Sequence, residues 1–274
     1  MNLEPDFVEG RKINMYPELL KIGPVTIYSY GLMAAIGFLL AGYLLEKELA
    51  RVGRKKELAG TIIIAAIIGG IVGSKIYFLI ENPYLLKEDF FGTVFSGAGL
   101  VWYGGLIGGF LTVTWYIRKK GLPFLLVADL MGPLLLMGQG MGRIGCFLSG
   151  DGCYGPPSDV PWAMAFPNGV VPTTEKVHPT PIYDAVLLIS LFFLLWGLRK
   201  KNFKPGTIFG LFGVLMGIER FFTEFFRTNP KTIFGLFSQA QFFSILLFIG
   251  GITLIVYVNK FRKYPETKEK SLND

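Results

Sequence analysis

The chain has 274 residues, of which 51% are hydrophobic and 15% aromatic but only 17% charged. That balance is too apolar for a soluble domain of this size and is the composition of an integral membrane protein. The formal charge of +7 does not point to nucleic acid, because the basic residues lie in short clusters between apolar runs, where they mark membrane topology. Two cysteines, Cys146 and Cys153, and one histidine, His178, are too few and too poorly spaced for a zinc or iron–sulfur framework.

Residues 1–25 mix Glu4, Asp6, Glu9, Arg11, Lys12 and Glu18 and hold no apolar core before Pro24. No cleavable signal peptide is expected, and the chain inserts through its own spans. Seven segments are long enough, or nearly so, to cross about 30 Å of hydrocarbon. They run over Ile27 to Leu45, Thr61 to Ile80, Leu100 to Ile117, Phe124 to Leu148, Ile182 to Leu198, Thr207 to Phe226 and Leu236 to Val258. The spacing therefore predicts an all-α protein with a seven-helix membrane domain over 1–259 and a polar cytoplasmic tail over 260–274. Small-x-x-x-small pairs (Gly69 and Gly73, Gly104 and Gly108, Gly105 and Gly109, Gly213 and Gly217) fit close packing of the bundle.

Lysines and arginines crowd the loops after the first, third, fifth and seventh spans, with Lys47, Arg51, Arg118, Lys119, Arg199, Lys200, Lys260 and Arg262 among them. The positive-inside rule then puts the N-terminus outside and the C-terminus in the cytoplasm. The longer loops, 81–99 and 149–181, face outside, and the proline-rich second one reads as an ordered extracytoplasmic cap. On that face a disulfide between Cys146 and Cys153 is an option, with two free thiols preferred.

The densest chemistry is the stretch from Gly142 through Arg143, Cys146, Asp151 and Cys153 to Gly155. Burying an arginine in a membrane helix costs about 2.5–3.5 kcal/mol on insertion scales, so its ordinary reading is functional, with an anionic partner. Counted from the cytoplasmic ends, Lys75 lies roughly 21 Å, Arg143 roughly 29 Å, and Arg220, Glu224 and Arg227 roughly 20, 26 and 30 Å up their spans. All fall in the outer half, where Tyr30 and Tyr103 also begin their helices. Arg220, Glu224 and Arg227 share one helical face at i, i+4 and i+7, which also suits a self-contained ion-pair ladder. Lys75, Arg143, Arg220 and Arg227 outnumber Glu224 and Asp151, so the layer is expected to be net positive and to bind an outside anion. A phospholipid phosphate fits, since guanidinium groups grip phosphate through paired hydrogen bonds. Asp129, near the cytoplasmic end of its span, reads as structural or interfacial, and Tyr28 and Trp102 as an aromatic belt.

Five blocks in order carry a resemblance to the prolipoprotein diacylglyceryl transferases. They are Ile22-Gly23-Pro24-Val25 leading to Tyr30-Gly31-Leu32-Met33, Gly104-Gly105-Leu106-Ile107-Gly108, and Gly142-Arg143-Ile144-Gly145 with Phe147, Gly150 and Gly155. His178-Pro179-Thr180 with Tyr183, and Arg220 through Glu224-Phe225-Phe226-Arg227, complete the set. The resemblance covers nearly the whole chain. It implies a multi-pass enzyme of the bacterial cytoplasmic (inner) membrane that moves diacylglycerol from phosphatidylglycerol to the lipobox cysteine of a lipoprotein-precursor signal peptide. The products are a thioether and glycerol phosphate, and no metal or organic cofactor is called for, because the donor lipid brings its own leaving group.

On that reading Arg143 and Arg220 grip phosphate, Glu224 holds Arg220 or Arg227 in place, and Tyr103 or Asp151 takes the thiol proton. Tyr30, Lys75, Gly104, Cys146, Gly155, Arg227 and His178 line the substrate. The family pattern has histidine where this chain has Tyr103, asparagine at Cys146, glutamate at Asp151 and arginine at Lys75. Two other readings accompany those departures: a non-catalytic relative that binds phospholipid, and a transferase with a different acceptor.

Overall fold

A computed structural model describes residues 15–23, 25–85, 90–95, 101–233 and 235–262. The N-terminal charged stretch, the polar tail from Lys263 onward, residues 86–89 and 96–100, and the side chain of Trp102 lie outside that description. The chain is mostly helical. In order come a hairpin of β1 (Glu18–Ile22) and β2 (Val25–Tyr28), α1 (Ser29–Arg51), α2 (Leu58–Glu81), α3 (Phe90–Phe95), α4 (Trp102–Lys119) and α5 (Phe124–Ser149). A second hairpin, β3 (Met164–Phe166) and β4 (Thr173–Val177), precedes α6 (Thr180–Leu198), α7 (Thr207–Thr223), a 3-10 turn (Glu224–Phe226) and α8 (Gln239–Val256).

Among the described residues, five helices are long and apolar enough to cross a membrane: Ser29–Arg51, Leu58–Glu81, Phe124–Ser149, Thr180–Leu198 and Gln239–Phe261. Helices α4 and α7, with 18 and 17 residues, are the shorter pair. The two antiparallel hairpins were not expected in an all-α chain. Each joins short β-capable runs that flank a glycine turn, with Gly23 at φ 58° between β1 and β2.

The helix ends follow local chemistry. α1 and α4 each stop in a Schellman arrangement with a left-handed glycine, Gly53 and Gly121, where Arg54 donates to Leu49 (2.8 Å) and Leu122 to Ile117 (2.9 Å). α8 opens with a capping box: Ser238 Oγ accepts from the Gln241 amide (3.2 Å) while Gln241 Oε1 accepts from the Ser238 amide (3.1 Å). α7 ends sooner than its apolar run suggests. Glu224–Phe226 tightens to 3-10 and Arg227 is extended at φ −121°, ψ 157°, so the predicted i+7 alignment of Arg227 with Arg220 fails.

The described chain divides into two units, Met1–Gly37 with Gly132–Asp274, and Phe38–Met131. In the second unit α2 lies directly on α4. A Cβ on Gly73 would fall on the Gly104 carbonyl oxygen and one on Gly108 on that of Gly69, while Thr112 Oγ1 donates to the Ala65 carbonyl at 2.8 Å. Backbones this close are the contact that small residues permit in a membrane. In the first unit α7 and α8 meet in the same way, with Gly210 and Gly251 each facing the other's carbonyl. A small core of Met15, Phe166 and Val177, with Phe147, Tyr154 and Met164 against it, anchors the 149–181 region to the end of α5.

Candidate active site

The first unit gathers three arginines and three carboxylates from four segments. Asp184, in the first turns of α6 and 1% exposed, is the hub. Its Oδ2 lies 3.1 Å from Arg143 Nε on α5 and accepts a 3.1 Å hydrogen bond from Arg227 Nη1 after the 3-10 turn. Arg220, on the last turn of α7, pairs through Nη2 with Glu224 Oε2 at 2.9 Å. Glu224 is also held through Oε1, which accepts from Asn229 Nδ2 and Ser238 Oγ, each at 2.7 Å. Arg220 and Glu224 face each other because four residues is one helical turn.

Two acids that the sequence reading passed over, Asp184 and Glu219, join Glu224 beside Arg143, Arg220 and Arg227. Of the two arginines open to Glu224 it holds Arg220, and Asp184 is the partner of Arg227. Both overlooked acids were visible as lone carboxylates inside apolar runs, which in a membrane helix is a signal in itself.

The hydrogen bonds of this cluster do not all close. Arg220 Nη1 is buried with no hydrogen-bond partner among the described residues, and so are both carboxylate oxygens of Glu219 and the Oδ1 of Asp184. Arg143 spends Nε on Asp184, and its two Nη nitrogens have no protein partner among the described residues. Guanidinium donors left over in a buried cluster are built to receive an acceptor from elsewhere.

Beside the cluster, the 150–155 turn folds back over the end of α5. Left-handed Gly150 and Gly152, at φ 58° and 84°, bring Cys153 to Cys146, and the donor atoms of Cys146, Asp151 and Cys153 lie within 4.8 Å of one another. Both thiols are free. Sequence spacing alone gave no hint of this, because the trio straddles a helix end. Hydrogen bonding from the Cys146 thiol brings Cys153 down to about 7, against burial and Asp151, which push it up. Tyr30, half exposed, packs on Gly145, where an added Cβ would meet Tyr30 Cα at 3.1 Å.

Gly155 is fixed by contact: a Cβ there would land on the Phe226 carbonyl oxygen and 3.0 Å from His178 Cβ. Its amide donates to the His178 carbonyl at 2.8 Å. The His178 ring is held through one nitrogen. Trp162 Nε1 donates to Tyr183 Oη at 2.6 Å, and the same hydroxyl shares a hydrogen bond with His178 Nδ1 at 3.2 Å. The remaining predicted residues belong to the second unit. Tyr103 and Gly104 open α4, Gly104 buried against Gly73 and Tyr77, and Lys75 lies on α2 with Nζ 5.5 Å from the Phe78 ring centre.

The family profile for prolipoprotein diacylglyceryl transferase matches residues 17–257. The chain belongs to that family. The phosphatidylglycerol–prolipoprotein diacylglyceryl transferase of Clostridium tetani is 37% identical over 258 residues, covering 91% of this chain and all of the relative. The second such enzyme of Clostridium perfringens is 36% identical, covering 89% of this chain and 95% of its own length. That of Vibrio parahaemolyticus is 35% identical, covering 92% and 94%. The family match takes in every element that carries the arginine cluster, from α5 through the cap to α8.

Proposed function

We propose that this chain transfers the diacylglyceryl group of phosphatidylglycerol to the lipobox cysteine of a prolipoprotein, forming a thioether and releasing glycerol phosphate. The observation that carries the reading is the set of unspent guanidinium donors on Arg220 and Arg143, buried among partners that hold each guanidinium still, in a chain of this family. Arg143 and Arg220 take the lipid phosphate and stabilise the charge that grows on it as the glyceryl C–O bond breaks. Asp184 and Glu224 are positioning residues: each fixes an arginine without contacting the phosphate. Tyr30, Lys75, Gly104, Gly155, Arg227 and His178 shape the lipid and signal-peptide surface, and Tyr103 and Asp151 are the two proton acceptors to be separated.

The protein is a seven-span protein of the bacterial inner membrane, with α4 and α7 as its shorter spans and the membrane domain ending near residue 259. Its N-terminus and the 149–181 cap are extracytoplasmic, which puts the arginine cluster in the outer leaflet, where the donor lipid and the translocated signal peptide meet. The test is mass spectrometry of a synthetic lipobox peptide incubated with purified protein and phosphatidylglycerol. A diacylglyceryl adduct on the peptide cysteine is expected. Folded protein that binds the lipid and leaves the peptide unmodified would move the reading to the lipid-binding relative.

A further inference from the structure

We infer that Cys146, Cys153 and Asp151 form a binding site for a thiophilic divalent cation of the zinc class, whose fourth position takes the thiol of the acceptor cysteine. The second half of this inference rests on the transferase reading above; the first does not. Three donors converge from two sides of a helix end, Cys146 from α5 and the others from the glycine turn, all within 4.8 Å of one another. Zinc–sulfur and zinc–oxygen bonds of about 2.3 and 2.0 Å give tetrahedral edges of about 3.5–3.8 Å, so each pair closes on an ion by moving about 1 Å or less. No other such trio of histidine, cysteine and carboxylate donors occurs among the described residues.

The carboxylate and the loop thiol are held from behind, as metal ligands are. Asp151 Oδ1 accepts from the Cys153 amide at 3.1 Å, which leaves Oδ2 for an ion. The Cys153 carbonyl accepts from Thr180 Oγ1 at 2.5 Å, tying the loop to α6. Two thiolates select soft cations over magnesium or calcium. Three protein ligands leave one tetrahedral position, the pattern of ions that work on a bound substrate.

That position suits the proposed reaction. An ion bound there would let a lipobox thiol lose its proton to solvent near neutral pH, as metal coordination does for weak acids generally, Asp151 then serving as a ligand and not as the proton acceptor. The thiolate then attacks the glyceryl carbon. A sulfur–carbon bond forms, the carbon–oxygen bond to phosphorus breaks with its electron pair, and glycerol phosphate leaves with both charges as the thioether is released. Cys146 follows Arg143 by three residues on one face of α5, so thiol and phosphate would be held about 5–6 Å apart at their anchoring side chains.

The experiment uses the full chain, untagged, in detergent and stripped with a chelator. Cobalt(II) titration should give one equivalent and a thiolate-to-cobalt charge-transfer band, and elemental analysis should give one zinc after reloading. Cys146→Ser and Cys153→Ser, each checked for folding by circular dichroism, should weaken binding by more than about a hundredfold, beyond the loss of an outer partner. Wild-type protein that binds no more cobalt than the double serine variant overturns the site, as does protein whose thiols close to a disulfide instead. Lipidation of the peptide should fall at least tenfold in stripped protein and return with zinc. Equal lipidation with and without metal overturns thiol activation and leaves the transferase reading intact. No lipidation in either form counts against the transferase reading, and the cobalt band still decides the site.

Discussion

Asp184→Asn is the sharpest perturbation of the arginine cluster. It keeps the side chain's shape and removes only the charge that one buried oxygen shares between Arg143 Nε and Arg227 Nη1, both at 3.1 Å. A hydrogen bond to a charged group contributes about 1.5–3 kcal/mol, and removing one partner of a buried ion pair costs about 3–5 kcal/mol because the other charge is left uncompensated. Two guanidiniums are stranded here, with side chains 9% and 23% exposed, so the loss belongs at the upper part of that range for Arg227 and lower for Arg143. The expected destabilisation is about 3–5 kcal/mol. The assay is reversible denaturation in mixed micelles, read by far-ultraviolet circular dichroism, on the wild type, Asp184→Asn, Arg227→Gln and the double variant. The double variant should recover part of the loss, since Arg143 alone then lacks its partner. An Asp184→Asn protein within about 0.5 kcal/mol of wild type, the range of ordinary surface changes, would refute the assignment of Asp184 as the hub.

Four further outcomes follow from the same geometry. Arg143→Ala should lower peptide lipidation by about 10²–10³-fold while folded protein remains in the membrane, since Asp184 keeps Arg227; normal turnover would end the phosphate assignment. Gly155→Ala should cost about 1–3 kcal/mol or more, because the new methyl meets the Phe226 carbonyl and the His178 backbone region rather than a yielding side-chain tip; an unchanged melting curve would contradict the packing. Ser238→Ala should cost about 1–2 kcal/mol for the lost cap and should also lower turnover, because the same hydroxyl holds Glu224; a stability loss with unaltered kinetics would separate the two roles. Tyr183→Phe should remove the hydrogen bond to His178 Nδ1, visible in the ring nitrogen shifts, and unchanged spectra would refute the Trp162–Tyr183–His178 chain of contacts.

The membrane class, the positions of the long helices and the Arg220–Glu224 pair were legible because each depends on one local rule: apolar length, glycine spacing, or one helical turn. Arg227 was misplaced for the opposite reason. Nothing in Glu224-Phe225-Phe226-Arg227 looks like a helix stop, since there is no glycine or proline, and the 3-10 turn is set by tertiary partners: Glu224 is drawn to Ser238 and Asn229, and Arg227 to Asp184. Asp184 and Glu219 were passed over because both sit in apolar runs. The cysteine trio escaped because donors seven residues apart read as scattered until left-handed glycines fold the chain back. Ser238, by contrast, carried a readable Ser-x-x-Gln cap that the apolar start at Leu236 obscured.

The arginines owe their placement less to the bodies of their helices than to the points where helices stop. Four residues, 224–227, take contacts from three directions. The start of α8 reaches Glu224 through Ser238, the beginning of α6 reaches Arg227 through Asp184, and Gly155 of the cap abuts the Phe226 carbonyl. Each contact uses a group that a continuous helix would have kept for itself or turned away. Group transfer gains from holding reacting groups to within tenths of an ångström, and a misplacement of 1 Å costs about 10²-fold in rate. A guanidinium on a long, rotatable stem cannot supply that precision alone. Ending α7 one turn early, just past the Arg220–Glu224 pair, sends Arg227 to share Asp184 with Arg143, and so ties two arginines from different segments to one oxygen. The early stop that defeats the simple helical reading of this stretch is therefore what turns three separate cations into one site.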